Sequence, residues 1–183
     1  MIPGSLARRY ARALIGLAET PAARDKFAKD LNAIAAIAKS TDEAGQSVLT
    51  VLSSRRYSAP DRKKLVAALA RRVMADPMVV KFLAHAIDQD RIIGLPEIAR
   101  AYTRMADDVA GRLQAEVTSA APLDPAAIAR LQQALATATG KTIVMTTKVD
   151  PELLGGVVTK LGSYVLDGSL RSALARMREG LRT

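Results

Sequence analysis

Asp150-Pro151-Glu152-Leu153-Leu154-Gly155-Gly156-Val157-Val158-Thr159-Lys160-Leu161-Gly162-Ser163-Tyr164-Val165-Leu166-Asp167-Gly168-Ser169 is the stretch around which this chain is organised. Asp-Pro and Gly-Gly punctuate the backbone as turns. Val157, Val158 and Leu161, followed by residues 164–166, are apolar enough to form a small packed sheet. Gly162 and Ser163 separate the two runs. Asp167 or Ser169 can cap a helix that starts directly after them. The stretch holds no nucleophile, no base and no metal-ligand cluster. Its residues build a shape for other surfaces to read.

Upstream, the character of the chain changes near Gly111. Leu113, Ala115, Val117 and Ser119 alternate with Gln114, Glu116 and Thr118, which is the period of a half-buried strand. Leu123-Asp124-Pro125 opens a helix with Ile128, Leu131 and Leu135 inward, and Gly140 ends it. Residues 141–149 form a β-rich run containing Ile143, Val144 and Val149. A last helix carries Leu170, Leu174, Met177 and Leu181. The predicted order is β-α-β-β-β-α.

Residues 1–110 read as consecutive helices. Leu6, Tyr10, Ala13, Leu14 and Leu17 share one face, and Phe27, Leu31, Ile34 and Ala38 form a second stripe beyond Pro21. Ser40, Thr41 and Asp42 break the chain before a short element with Val48, Leu49, Val51 and Leu52. Ser58 and Asp61 start a helix that continues through Leu65, Leu69 and Val73. Asp76-Pro77 starts the next, with Val79, Phe82, Leu83, Ala86 and Ile87. After a stop at Gly94 and Pro96 comes a stripe of Ile98, Tyr102, Met105 and Val109. Short links between helices of this kind imply a bundle. The fold class is therefore α+β: an N-terminal six-helix bundle over 1–110 and a small C-terminal α/β domain over 111–183.

Composition narrows the function. The chain has 183 residues, 49% of them apolar, enough to bury a core. With no Cys there are no disulfides and no thiolate chemistry. The net charge of +9 is spread out, with 18 Lys/Arg against 12 Asp/Glu in residues 1–110 and 9 against 6 in 111–183. Such a surface suits nucleic acid, an anionic membrane or an acidic protein, or is simply a solvated helical surface. No apolar run reaches the ~20 residues needed to span a bilayer. The N-terminus lacks a secretory hydrophobic region, which Arg8, Arg9 and Arg12 interrupt.

Chemistry is hard to find. The one histidine, His85, sits between Ala84 and Ala86 on a helix with no Ser, Cys or second His at useful spacing, so its role is packing or surface. Asp150, Glu152 and Asp167 could be drawn as a hard-cation site, but both aspartates fall where turns and caps use Asp anyway. Gly155-Gly156 matches neither a P-loop nor a dinucleotide fingerprint. It marks unusual backbone angles or a close approach. An RNA-reading sheet needs exposed aromatics, and Tyr164 is the only aromatic after Tyr102. What remains is a protein-binding protein whose bundle offers a groove to an amphipathic helix.

The pattern Asp150-Pro151-x-Leu153-x-Gly155-Gly156, then Gly162, Asp167-Gly168-Ser169, Leu174 and Leu181, resembles the C-terminal signature of the delta subunit of F-type ATP synthases, the oligomycin-sensitivity-conferring protein family. Arg9-Tyr10-Ala11-x-Ala13-Leu14, Phe82-Leu83 and Arg91-x-x-x-Leu95-x-x-Ile98 extend the resemblance over essentially the whole chain. Lys81 departs from the Asn usual before Phe-Leu, and Leu170 from a β-branched residue. The resemblance implies a non-catalytic stator subunit of a proton-translocating ATP synthase, without cofactor or metal. Its N-terminal domain would hold N-terminal segments of the alpha subunits, partly in a groove between the first and fifth helices, which here carry Tyr10, Ala13, Leu17, Phe82 and Ala86. Its C-terminal domain would meet the C-terminal ends of the b subunits. Asp150, Pro151, Gly155, Gly156, Asp167, Gly168 and Ser169 would be structural signature residues. Neither nucleic acid nor a small-molecule substrate is implied. The implied location is peripheral, on the cytoplasmic face of a bacterial inner membrane, through the complex.

Overall fold

The computed structural model describes residues 4–41, 46–151, 153, 155–162, 164–170 and 172. The chain is α+β and divides into two compact units, Met1–Ala106 and Asp107–Thr183.

The first unit is helical. Its elements are α1 (Gly4–Leu17), α2 (Pro21–Lys39), α3 (Val48–Ser53), α4 (Ala59–Arg72), α5 (Pro77–Asp88), a 3-10 turn at Ile92–Gly94, and α6, which starts at Leu95 and runs to Val109. Side-chain caps set most of the starts. Thr20, Ser47, Ser58 and Asp76 each accept a hydrogen bond from an amide of the first turn of α2, α3, α4 and α5. Proline sits in the first turn of α2, α4 and α5, where its missing amide costs nothing. The break after α2 falls at Ser40, whose amide and hydroxyl both donate to the end of the helix. Asp42 lies outside the described residues.

The core of this unit gathers Leu14, Leu31, Ile34, Leu52, Leu83, Ile87 and Tyr102 with many alanines between them. The stripe expected on α2 is buried throughout, at Phe27, Leu31, Ile34 and Ala38. On two other helices the deepest line is offset from the expected stripe. In α1 it runs through Ala7, Ala11 and Leu14, whereas Leu17 is 51% exposed. In α4 it runs through Arg62, Val66 and Ala70, leaving Leu65, Leu69 and Val73 half-buried. On α1 the small Ala7 and Ala11 fit at a close approach while Tyr10 and Leu17 lie on the flank, and on α4 Arg62 goes inward because the Leu52 carbonyl and Asp90 accept its guanidinium. On α6 the buried line is Ile98, Ala99, Tyr102 and Ala106, and Val109, one turn on, is exposed.

The second unit is a four-stranded sheet with one helix. Its elements are β1 (Arg112–Ser119), α7 (Pro125–Thr139), β2 (Thr142–Val149), β3 (Gly156–Leu161) and β4 (Tyr164–Ser169). The strand order is β2-β1-β3-β4. β1 and β2 are parallel, with Arg112 opposite Thr142, and α7 forms the crossover between them. β3 lies antiparallel to β1, and β4 antiparallel to β3. Asp124 caps α7 through the Ala127 amide, and Gly140 closes it in the left-handed conformation at φ 65°. Leu135 of α7 packs with Ala115, Ile143 and Leu161, one residue from each of β1, β2 and β3.

That helix does not reach the last strand. Residues 164–166 were expected within the packed sheet, but Tyr164, Val165 and Leu166 are 77%, 60% and 54% exposed. They sit on the edge strand, where one neighbour is missing and, among the described residues, no layer covers them. Leu174, Met177 and Leu181 of the expected last helix lie outside the described residues.

Candidate functional site

Two places concentrate what the sequence singled out. The first is the surface shared by α1 and α5. The rings of Tyr10 and Phe82 meet edge-to-face, with centroids 6.0 Å apart and planes inclined by 75°. They close over a small cluster in which Ala7 and Ile98 are buried and Leu6 and Ala101 are partly buried. Edge-to-face geometry sets the positive ring edge against the negative face of the other ring.

Of the five residues implied as partner-binding, the structure brings two into contact and separates the others. Tyr10 and Phe82 are half-buried, with part of each ring open to solvent. Ala13 is exposed, and Leu17 is 51% exposed, so both continue the Tyr10 stripe outward along α1. Ala86 is 1% exposed and belongs to the main core, where it supports α5 from within. Leu6, which was not among the five, packs in the same cluster as Tyr10 and Phe82, and Met78 packs against the main core. Each stands four residues before an aromatic, Tyr10 or Phe82, and is partly buried. That spacing was the signal available.

The floor of the first unit is held by buried polar links. Arg62, 7% exposed, donates to the carbonyl of Leu52 at 3.4 Å and to Asp90 at 3.2 Å. Asp90 also receives Arg55 at 2.9 Å, and the hydrogen bond from Arg62 is the main reason that its carboxyl titrates below the ordinary aspartate range. Asp30, 7% exposed, accepts the amide of Asp76 at 2.8 Å, fixing the start of α5 against α2. Tyr102 is fully buried and its hydroxyl donates to Arg24 carbonyl at 3.4 Å; burial pushes its pKa up to about 12. Tyr102 belongs to the periodic stripe of α6, whereas Arg62, Asp30 and Asp90 were not marked by periodicity, because Arg and Asp are ordinarily surface residues.

The second place is the signature hairpin. Gly155 and Gly156 have φ of 152° and 83°. A Cβ on Gly156 would overlap the Gly168 carbonyl oxygen and stand 3.0 Å from Ser169 Cα, so the glycine is required for β3 to lie against β4. Gly156 is in register with Ser169, and the Gly155 carbonyl accepts the Leu170 amide at 3.0 Å. Asp167 and Ser169 both accept hydrogen bonds from residues that closely follow them. Asp167 accepts the Ser169 amide at 2.9 Å and the Ser172 hydroxyl at 2.6 Å, while Ser169 Oγ accepts the Ser172 amide at 3.3 Å. The Asp150 amide donates to the Ser119 carbonyl at 2.9 Å, and its carbonyl accepts the Leu153 amide at 3.1 Å. Pro151 lies exposed in that turn, and Gly168 continues β4 opposite Val157. Every one of these contacts shapes backbone.

Among the described residues no group of three His, Cys, Asp or Glu side chains could hold a metal ion, and no helix is long and apolar enough to cross a membrane. His85 is exposed on α5.

Comparison with known proteins covers the chain from end to end. Residues 6–181 match the family described as ATP synthase delta (OSCP) subunit. The chain is 35% identical over 182 residues to an ATP synthase subunit delta of Geobacter metallireducens, covering 100% of this chain and 99% of that protein. It is 38% identical over 185 residues to an ATP synthase subunit delta of Myxococcus xanthus, with the same coverage. Its fold is similar to a chain in the mitochondrial ATP synthase hexamer of Toxoplasma gondii, with a TM-score of 0.69 and 19% identity over 97% of this chain and 98% of that one.

Proposed function

Since this chain belongs to the ATP synthase delta (OSCP) subunit family, we propose that it is a peripheral-stalk subunit that joins the catalytic head of an F-type ATP synthase to the membrane-anchored b subunits. The observation that carries the proposal is the family match over residues 6–181, which spans both units. The six helices of the first unit form the bundle that holds N-terminal segments of the alpha subunits. The half-open stripe of Leu6, Tyr10, Ala13 and Leu17 beside Phe82 supports that assignment, because an amphipathic helix needs such a seat. The second unit meets the C-terminal ends of the b subunits.

In this role the protein catalyses nothing. It resists co-rotation of the head while the rotor turns, so it works through stiffness and through two interfaces. It takes no cofactor, and reaches the cytoplasmic face of the bacterial inner membrane through its partners.

Removal and re-addition test the proposal. Inverted membrane vesicles lacking the subunit should lose ATP synthesis driven by a proton gradient, and purified chain should restore it. Hydrolysis by the detached head should persist without it. Synthesis that is undiminished in its absence would overturn the reading.

A further inference from the structure

We infer that Asp107 is a positioning residue: its carboxylate locks the turn between α6 and β1 into a stiff joint, through which the second unit takes up load from the chain. The load-bearing part rests on the stalk reading above, and the lock itself rests on geometry.

The chain passes from the first unit to the second once, between Ala106 and Asp107, inside α6. Residues 107–109, the last turn of that helix, therefore belong with the second unit. An acid is poorly placed there. The C-terminal end of a helix carries partial negative charge, and α6 has no basic residue in its last turn. Burial raises the cost, and Asp107 is buried at 6% exposure while its neighbour Asp108 is exposed. A residue in conflict with both its helix and its burial needs a compensating partner.

The partners lie beyond the turn. Asp107 accepts Arg112 Nε at 3.0 Å and Gln114 Nε2 at 2.9 Å, one on each carboxylate oxygen. Arg112 and Gln114 are two apart on β1, so both stand on one face of the strand. Two backbone bonds close the turn under this bracket. The Gly111 amide donates to the Asp108 carbonyl at 3.2 Å, with Gly111 at φ 63°, and the Gly111 carbonyl accepts the Thr142 amide of β2 at 3.1 Å. Opening the turn therefore breaks a charged pair and a second hydrogen bond, both made to a buried acceptor. A joint held in this way passes a bend on to its neighbours instead of absorbing it.

The test uses the full chain. Amide exchange is followed at Gly111 and Thr142, whose N–H groups report opening of the turn. In Asp107→Ala both should exchange roughly tenfold faster, while amides of the first unit keep their rates. Gln114→Ala, which removes one exposed donor, should move the same two amides by less, and carries the test if Asp107→Ala fails to fold. Asp108→Ala, an equal loss of charge one residue away, should move neither. For load, each variant is added back to inverted vesicles lacking the subunit. Asp107→Ala should bind them as the parent chain does yet restore less ATP synthesis at equal occupancy, and Asp108→Ala should restore it in full. Unchanged exchange in Asp107→Ala, or equal acceleration in Asp108→Ala, would overturn the lock. Faster exchange with synthesis fully restored would overturn the load-bearing role and leave the lock standing. Loss of vesicle binding by Asp107→Ala would overturn that role too, since the residue would then act on an interface. A parent chain that restores no synthesis would overturn the stalk reading and not the lock.

Discussion

The ring of Tyr10 on α1 stands edge-on against the ring of Phe82 on α5, 6.0 Å between centroids. This pair joins helices far apart in sequence and forms the lip of the proposed seat. Replacing either ring by Ala should destabilise the first unit by about 1–3 kcal/mol. The double variant should fall short of additivity by about 0.5–1.5 kcal/mol, the worth of the ring-ring contact beyond burial. Urea unfolding of the four proteins in the cycle measures it.

Glycines in the second unit should differ sharply in tolerance. Gly156 has φ 83° and no room for a Cβ against Gly168 and Ser169, whereas Gly140 has φ 65° with open space around it. Gly140→Ala should cost about 1 kcal/mol, from the left-handed backbone alone. Gly156→Ala should cost more than twice that, because β3 and β4 must also separate. Chemical unfolding of the two variants compares them.

One positive-φ residue offers a gain. Met74 has φ 51° and is 82% exposed, so its side chain makes little use of the strained backbone. Met74→Gly should stabilise the first unit by about 0.5–1 kcal/mol, read as a raised melting temperature. Asp90 shares the conformation at φ 52°, yet Asp90→Gly should destabilise, since Arg62 and Arg55 lose their carboxylate.

Arg62 and Asp90 should behave as a unit. Asp90→Ala leaves a buried guanidinium without its anion, and should lower the melting temperature more than the double change Arg62→Met with Asp90→Ala. The hydrogen bond from Arg62 depresses the Asp90 pKa, so its stabilising contribution is complete above the unfolded value near ~4. It is lost as pH falls through the lower folded value. Acid unfolding of Asp90→Asn should therefore show a weaker dependence on pH in that range.

Tyr102 sets the alkaline side. Its pKa of about 12 exceeds the unfolded value near ~10, so the folded state favours the neutral phenol. Stability from this group is complete below the unfolded value and declines as pH rises from there toward about 12. Tyr102→Phe should remove that decline, seen by comparing alkaline melting curves and the tyrosinate absorbance of the two proteins.

The sequence by itself determined the elements and the family. Thr20, Ser47, Ser58, Asp76 and Asp124 sit where capping oxygens are needed, and Gly140 where a left-handed residue ends α7. These are local interactions, each complete within a few residues, so pattern alone carries them. Alternation in residues 113–119 and the glycine and aspartate spacing of the signature were legible for the same reason. Tertiary structure alone decided which face of each helix goes deepest. On α1 Ala7, Ala11 and Leu14 lie deeper than Tyr10 and Leu17, on α4 Arg62, Val66 and Ala70 lie deeper than Leu65 and Leu69, and on α5 Ala86 lies in the core. Tertiary structure also chose Arg62 as a buried residue, because Asp90 and the Leu52 carbonyl meet it from other elements. Strand order, too, is a non-local outcome: β4 became the edge beyond the reach of α7, and so residues 164–166, apolar in sequence, stand exposed.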